Sequence, residues 1–158
     1  MGDRWLSIYL RDHHAASAGG VGLARRALGK KHPIAEQIGR DRETLEEVMR
    51  QLDVGPSAMK VGSVRMAERL SRLKLNGRLF MHSPLSRVVE LETLLVGIRG
   101  KEALWAALLT VGPSLQGIDL DALVESARTQ AIEVDELRLS SVALAFGGIP
   151  AHELNEAA

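Results

Sequence analysis

The amino-acid sequence predicts an all-α fold: four long helices in an antiparallel bundle with one shorter additional helix, about five helices in total. Three observations predict it. Apolar residues recur at spacings of three and four through most of the chain, which is the helical period. No segment of strand length alternates between apolar and polar residues. Aromatic residues make up only 3% of the chain, so the core has to be built from Leu, Val, Ala, Ile and Met, a composition suited to closely packed helices.

The first helix is expected from about Arg4 to Lys30, with Asp3 as its cap. Its apolar stripe reads Leu6, Tyr9 or Leu10, His13, Ala16, Gly20, Leu23, Ala27. Gly19 and Gly20 are unusual inside a helix, where glycine costs about 1 kcal/mol relative to alanine. They point to a close crossing, a kink, interior room or a break. Gly29 and Lys30-Lys31-His32-Pro33 read as a stop and a new start, because proline is tolerated in a first helical turn. The second helix then runs to Leu52 with the stripe Ile34, Ile38, Asp41, Leu45, Val48 or Met49, Leu52.

Gly55-Pro56-Ser57 is a turn. A third, basic helix is expected from Ala58 to Leu75, ended by Asn76-Gly77. The connection from Gly77 to Ser83 is apolar for a loop. Ser83-Pro84 opens a fourth helix to Thr110, with the stripe Val88, Leu91, Leu95, Ile98, Glu102, Trp105, Leu109. Gly112-Pro113 closes it. Asp119 caps a fifth helix to Phe146, with the stripe Leu120, Leu123, Ala127, Gln130 or Ala131, Val134, Leu137, Ser141, Leu144. Residues 1–150 are read as one bundle domain and 151–158 as a frayed tail. Two helix orders in space fit these loop lengths.

Composition excludes several functions. The 158 residues contain no cysteine, which removes disulfides, thiolate metal sites and thiol catalysis. No apolar run reaches the roughly 18 residues of a membrane span, and the N-terminus lacks a signal-peptide pattern. A cytoplasmic location is expected. The net charge is zero but unevenly spread. Residues 60–87 carry Lys60, Arg65, Arg69, Arg72, Lys74, Arg78 and Arg87 against Glu68 alone, whereas residues 88–158 are acidic. With few aromatics for base stacking, this asymmetry reads as a helix–helix or dimer surface rather than a nucleic-acid surface. The donors Lys74, Asn76, Arg78, Ser83 and Ser86 crowd the third-to-fourth connection and read as caps, with anion binding as the alternative. Trp5 and Trp105 read as core anchors.

No phosphate loop, nucleophile elbow or His-Glu-x-x-His is present. The Glu-x-x-His pairs of di-iron bundles are also missing. Four polar residues nevertheless fall within apolar stripes: His13, Asp41, Glu102 and Gln130. A buried charge is expensive unless paired. The simplest expectation is a hydrogen-bonded interior pair of His13 and Asp41 that sets helix register. Arg42 and Arg99 offer further partners for the acids. The alternative is a divalent metal such as iron, manganese or zinc, held by His13, Asp41 and Glu102. An acid–base pair with His13 oriented by Asp41 or Glu102 is a third reading.

The segments Tyr9-Leu10-Arg11-Asp12-His13, Gly22-Leu23-Ala24-Arg25-Arg26 and Asp41-Arg42 before Leu45 carry a resemblance. So do Leu73-Lys74-Leu75-Asn76-Gly77-Arg78-Leu79, Ser83-Pro84-Leu85-Ser86-Arg87 and Glu90-Leu91-Glu92. In these the chain resembles a family of short, uncharacterised actinobacterial helical proteins, well over about its first hundred residues and loosely beyond. The resemblance implies a bacterial protein with a ferritin-like bundle. It departs from working ferritins at the missing Glu-x-x-His, so no ferroxidase residue carries over. The leading expectation is a non-enzymatic module acting through protein contact as a homodimer, with no cofactor, no membrane and no nucleic acid. A ferritin-like metal- or small-ligand-binding protein is the alternative.

Overall fold

The computed structural model describes residues 2–55 and 84–147, and these form four α-helices with no strand among them. They are α1 (Gly2–Ala27), α2 (Pro33–Gln51), α3 (Pro84–Val111) and α4 (Leu120–Phe146). The all-α expectation holds. The expected basic helix from Ala58 to Leu75, the apolar connection 77–83 and the tail 151–158 lie outside the described residues.

Local chemistry sets the helix ends. α1 begins at Gly2, ahead of the expected cap Asp3, and passes unbroken through Gly19 and Gly20. It closes at Gly29, whose φ of 99° is a left-handed conformation open to glycine. His32 caps α2: its Nδ1 accepts a hydrogen bond from the Ile34 amide at 3.3 Å, and Pro33 supplies the first turn. Gly112 ends α3 with φ 67°. Asp119 caps α4 as expected, its Oδ1 accepting from the Ala122 amide at 2.9 Å. Gly147, at φ 72°, closes α4 with its amide donating to the Ala143 carbonyl.

The interior divides into two apolar clusters. One gathers Leu10 of α1, Leu45, Val48 and Met49 of α2, Leu104, Trp105 and Leu108 of α3, and Val124 and Ala127 of α4. The other gathers Ala24 and Ala27, Ile34, Ala35 and Ile38, Leu91, Leu94 and Ile98, and Ala131 and Val134. Each large side chain fully withdrawn from water contributes roughly 1.5–3 kcal/mol. The most extensive helix packing is α3 on α4, and α1 packs on both α2 and α3. The α3–α4 loop is tied to α2 by a reciprocal pair: Gln51 Nε2 donates to the Gln116 carbonyl at 3.0 Å, and the Gln116 amide donates to Gln51 Oε1 at 2.7 Å.

Two expectations about side chains change. Trp105 is a core anchor, but Trp5 is 64% exposed, with the Arg4 guanidinium 5.8 Å from its ring centroid. On α3 the buried row is Leu91, Leu94, Ile98, Trp105 and Leu108, so Leu94 and Leu108 lie inside where Leu95 and Leu109 were expected. No helix among the described residues is long and apolar enough to cross a membrane.

Candidate functional site

The changed face of α3 rearranges the interior polar residues. Stepping from Ile98 by three rather than four turns Lys101 inward and Glu102 to the flank. Lys101 Nζ donates to Asp41 Oδ2 on α2 and to Gln130 Oε1 on α4. Gln130 Nε2 donates back to Asp41 Oδ2 at 3.3 Å and to Ser126 Oγ at 3.2 Å. By sequence position, Asp41 falls between Ile38 and Leu45, Lys101 between Ile98 and Leu104, and Gln130 between Ala127 and Ala131. The three therefore form one polar layer between the two apolar clusters. Burial pushes the Lys101 ammonium below its ordinary range, and the adjacent Asp41 carboxylate opposes that shift without cancelling it.

Of the residues expected from sequence, Asp41 and Gln130 therefore meet, and Lys101 is the partner that pattern reading missed. Its signal was a charged residue at i+3 from Ile98 and i−4 from Trp105, on one side of the same apolar column. Glu102 points elsewhere. Its carboxylate accepts from Arg99 Nη1 at 2.8 Å and Arg128 Nε at 3.0 Å, and these hydrogen bonds hold it below the usual carboxylate range. His13 is half-buried and meets the edge of Tyr9, with ring centroids 4.5 Å apart and planes 71° from parallel. Burial lowers its pKa, and neighbouring Asp12 acts in the opposite direction. Among the described residues no group of three or more His, Asp or Glu is placed to hold a metal ion.

A second polar cluster joins α1 to α2. His14 Nε2 lies 3.0 Å from Glu46 Oε1 and 3.2 Å from Arg42 Nη2. Protonated, this nitrogen donates to the carboxylate; unprotonated, it accepts from the guanidinium. Arg42 also donates to Ser17 Oγ at 2.7 Å and to the His14 carbonyl at 3.2 Å. The cluster borders an open cleft of about 420 Å³ that continues past Met49 and Arg50 to Gly55. Arg11 Nε closes its far rim through the Gly55 carbonyl at 2.9 Å. A second cleft, of about 530 Å³, lies at the α3–α4 loop between Leu109 and Asp121. Of the expected donor cluster around the third-to-fourth connection, only Ser86 falls among the described residues.

Large apolar side chains remain on the outside. Val96 of α3 is 72% exposed, and Ile132, Leu139 and Phe146 of α4 are 57%, 48% and 68% exposed. Ile132, Leu139 and Phe146 recur every seven residues, so they share one face of α4 with a drift of about 20° per step, whereas Leu144, expected in the buried stripe, is 74% exposed and lies off that face. Trp105 adds a different kind of polar feature: its buried indole N–H finds no hydrogen-bond partner among the described residues.

Compared with protein families, characterised proteins and solved structures, the chain matches none.

Proposed function

We propose that this chain is a non-enzymatic, cytoplasmic helical module that works through protein–protein contact, in its simplest form as a homodimer. One observation carries the reading. The interior charges are already matched to one another, while Ile132, Leu139 and Phe146 leave a heptad-spaced apolar face of α4 in water. An exposed apolar face of this kind marks an interaction surface, because covering it releases ordered water at no cost in buried polar groups. The test is light scattering coupled to size exclusion over a range of concentrations. A mass near twice 17.1 kDa is expected. A monomer at the highest concentration with no co-purifying protein would overturn the reading.

The bundle itself is proposed to be antiparallel and ferritin-like, with α1 and α2 as one hairpin and α3 and α4 as another. The cluster membership supports this. Leu10 near the start of α1 packs with Leu45 to Met49 late in α2, with Leu104 to Leu108 late in α3 and with Val124 early in α4. Site-directed spin labels at both ends of α2 and α3 would show the two helices parallel if the proposal holds.

A further inference from the structure

We propose that the polar layer between the two apolar clusters is a binding site for a primary ammonium group, filled in the native chain by Lys101 and open to a free primary amine once that side chain is cut back. The inference is independent of the interaction reading above. It starts from the acceptors. Gln130 Nε2 donates to Asp41 Oδ2 at 3.3 Å and to Ser126 Oγ at 3.2 Å. Both N–H bonds of that amide are thereby committed, so its oxygen is turned toward the Lys101 nitrogen. Asp41 Oδ2 faces the same nitrogen from α2. Gln130 and Asp41 are both buried. The amide is oriented by partners other than Lys101, so the two acceptors keep their aim when the lysine is removed.

The acceptor set selects the ligand. A carboxylate and an amide oxygen supply one negative charge between them. Divalent cations take at least about four ligands, and among the described residues no group of three or more His, Asp or Glu is placed to offer them. An ammonium group needs only one acceptor for each of its N–H bonds. Asp41 and Gln130 meet two of these. The Lys101 side chain keeps 15% exposure, so the layer reaches solvent at one edge, where water takes the remaining N–H and an external amine enters. Ile98 and Leu104, one turn to either side of Lys101 on α3, are buried. A ligand with a short alkyl tail therefore suits the space left by the lysine stem better than a bare inorganic cation does. A quaternary ammonium carries the same charge with no N–H to give, which separates recognition of the ammonium from simple neutralisation of Asp41.

The test is urea unfolding of full-length Lys101→Ala with propylammonium chloride, against sodium chloride and tetramethylammonium chloride at equal ionic strength. Propylammonium is expected to raise the urea midpoint of the variant toward a plateau, as a ligand of the folded state does. The wild type, whose site is already full, is expected to respond to all three salts alike. A folded variant that propylammonium does not stabilise, or that tetramethylammonium stabilises equally, would overturn the proposal. The absence of native cysteine gives a second route, which decides the matter where the alanine variant does not fold. Lys101→Cys, alkylated in urea with bromoethylamine, regains a side chain of lysine's length that ends in an ammonium group, and is expected to refold with a midpoint close to that of the wild type. The same cysteine alkylated with bromoethyl-trimethylammonium is expected to recover little of the loss. Equal recovery by the two reagents would show that the layer reads charge alone, and recovery by neither would show that it does not hold the ammonium; either result would overturn the proposal.

Discussion

Lys101 of α3 is ion-paired with Asp41 of α2 in the layer that separates the two apolar clusters. The pair is closed on the α4 side by Gln130, which accepts from the amine and donates to the carboxylate. Each of the three helices contributes one member, so the layer is satisfied in one register of α2, α3 and α4. A slip of α2 or α3 by a turn would bury an unpaired charge, and a slip of α4 would leave the Gln130 amide without its partners, which gives the layer a part in specifying the fold that apolar packing alone does not have.

Removing one partner should therefore cost more than removing the whole layer. Lys101→Ala leaves the Asp41 carboxylate buried and unpaired, and a loss of about 3–5 kcal/mol is expected in urea unfolding. The triple variant Asp41→Leu, Lys101→Met, Gln130→Leu is expected to recover that loss and to match or exceed the wild type in stability. A triple variant as unstable as Lys101→Ala would contradict the pairing.

The lowered pKa of Lys101 also has an alkaline signature. Between the depressed folded value and the ordinary value of 10.5, the unfolded chain binds more protons at this site than the folded chain does. Stability contributed by Lys101 thus rises with pH across that window. Lys101→Met, measured beside the wild type from pH 8 to 10.5, should lack this rise.

Acid should act in two stages. His13 has a folded pKa below 6.5, so its contribution is present above that pH and is lost as pH falls through the folded value. Glu47 is held down to about 2 by hydrogen bonds from Arg50 and Gln51, against an ordinary 4.5. Its contribution is present above pH 4.5 and is lost on approach to pH 2, and Glu46 and Glu102 shift in the same direction. Melting temperature against pH should flatten near pH 6 in His13→Asn and below pH 4.5 in Glu47→Gln.

Glycine substitutions should separate by conformation. A Cβ added at Gly20 or Gly22 meets nothing within 4 Å, and both lie inside α1. Alanine at either position is expected to stabilise by about 0.5–1 kcal/mol. Gly147 also has open space around it, but its φ of 72° strains any other residue, so Gly147→Ala should destabilise by about 1 kcal/mol. Thermal melts of the three variants would decide this.

Elemental analysis after incubation with iron, manganese or zinc tests the alternative use of His13, Asp41 and Glu102. No stoichiometric uptake is expected, because Asp41 is held by Lys101 and Glu102 by two arginines. About one metal ion per chain, lost in His13→Ala, would mean that those ion pairs open to admit it.

The sequence by itself determined the four described helices, because their ends depend on local chemistry. Pro33 opens α2, Gly112 ends α3, Asp119 caps α4 and Gly147 closes it, each acting within a turn of its own position. It also placed Asp41 and Gln130 inside, since each stands alone among apolar neighbours on one face. It pointed to Glu102 where the structure buries Lys101. Both flank the column Leu91, Ile98 and Trp105, and the doublets Leu94-Leu95 and Leu108-Leu109 offer leucine to either side. Which flank is buried depends on where α2 lies relative to α3 and α4, a long-range relation that no local pattern encodes. Packing against α2 and α4 turned Lys101 inward, and with that single rotation the interior carboxylate acquired its ammonium partner.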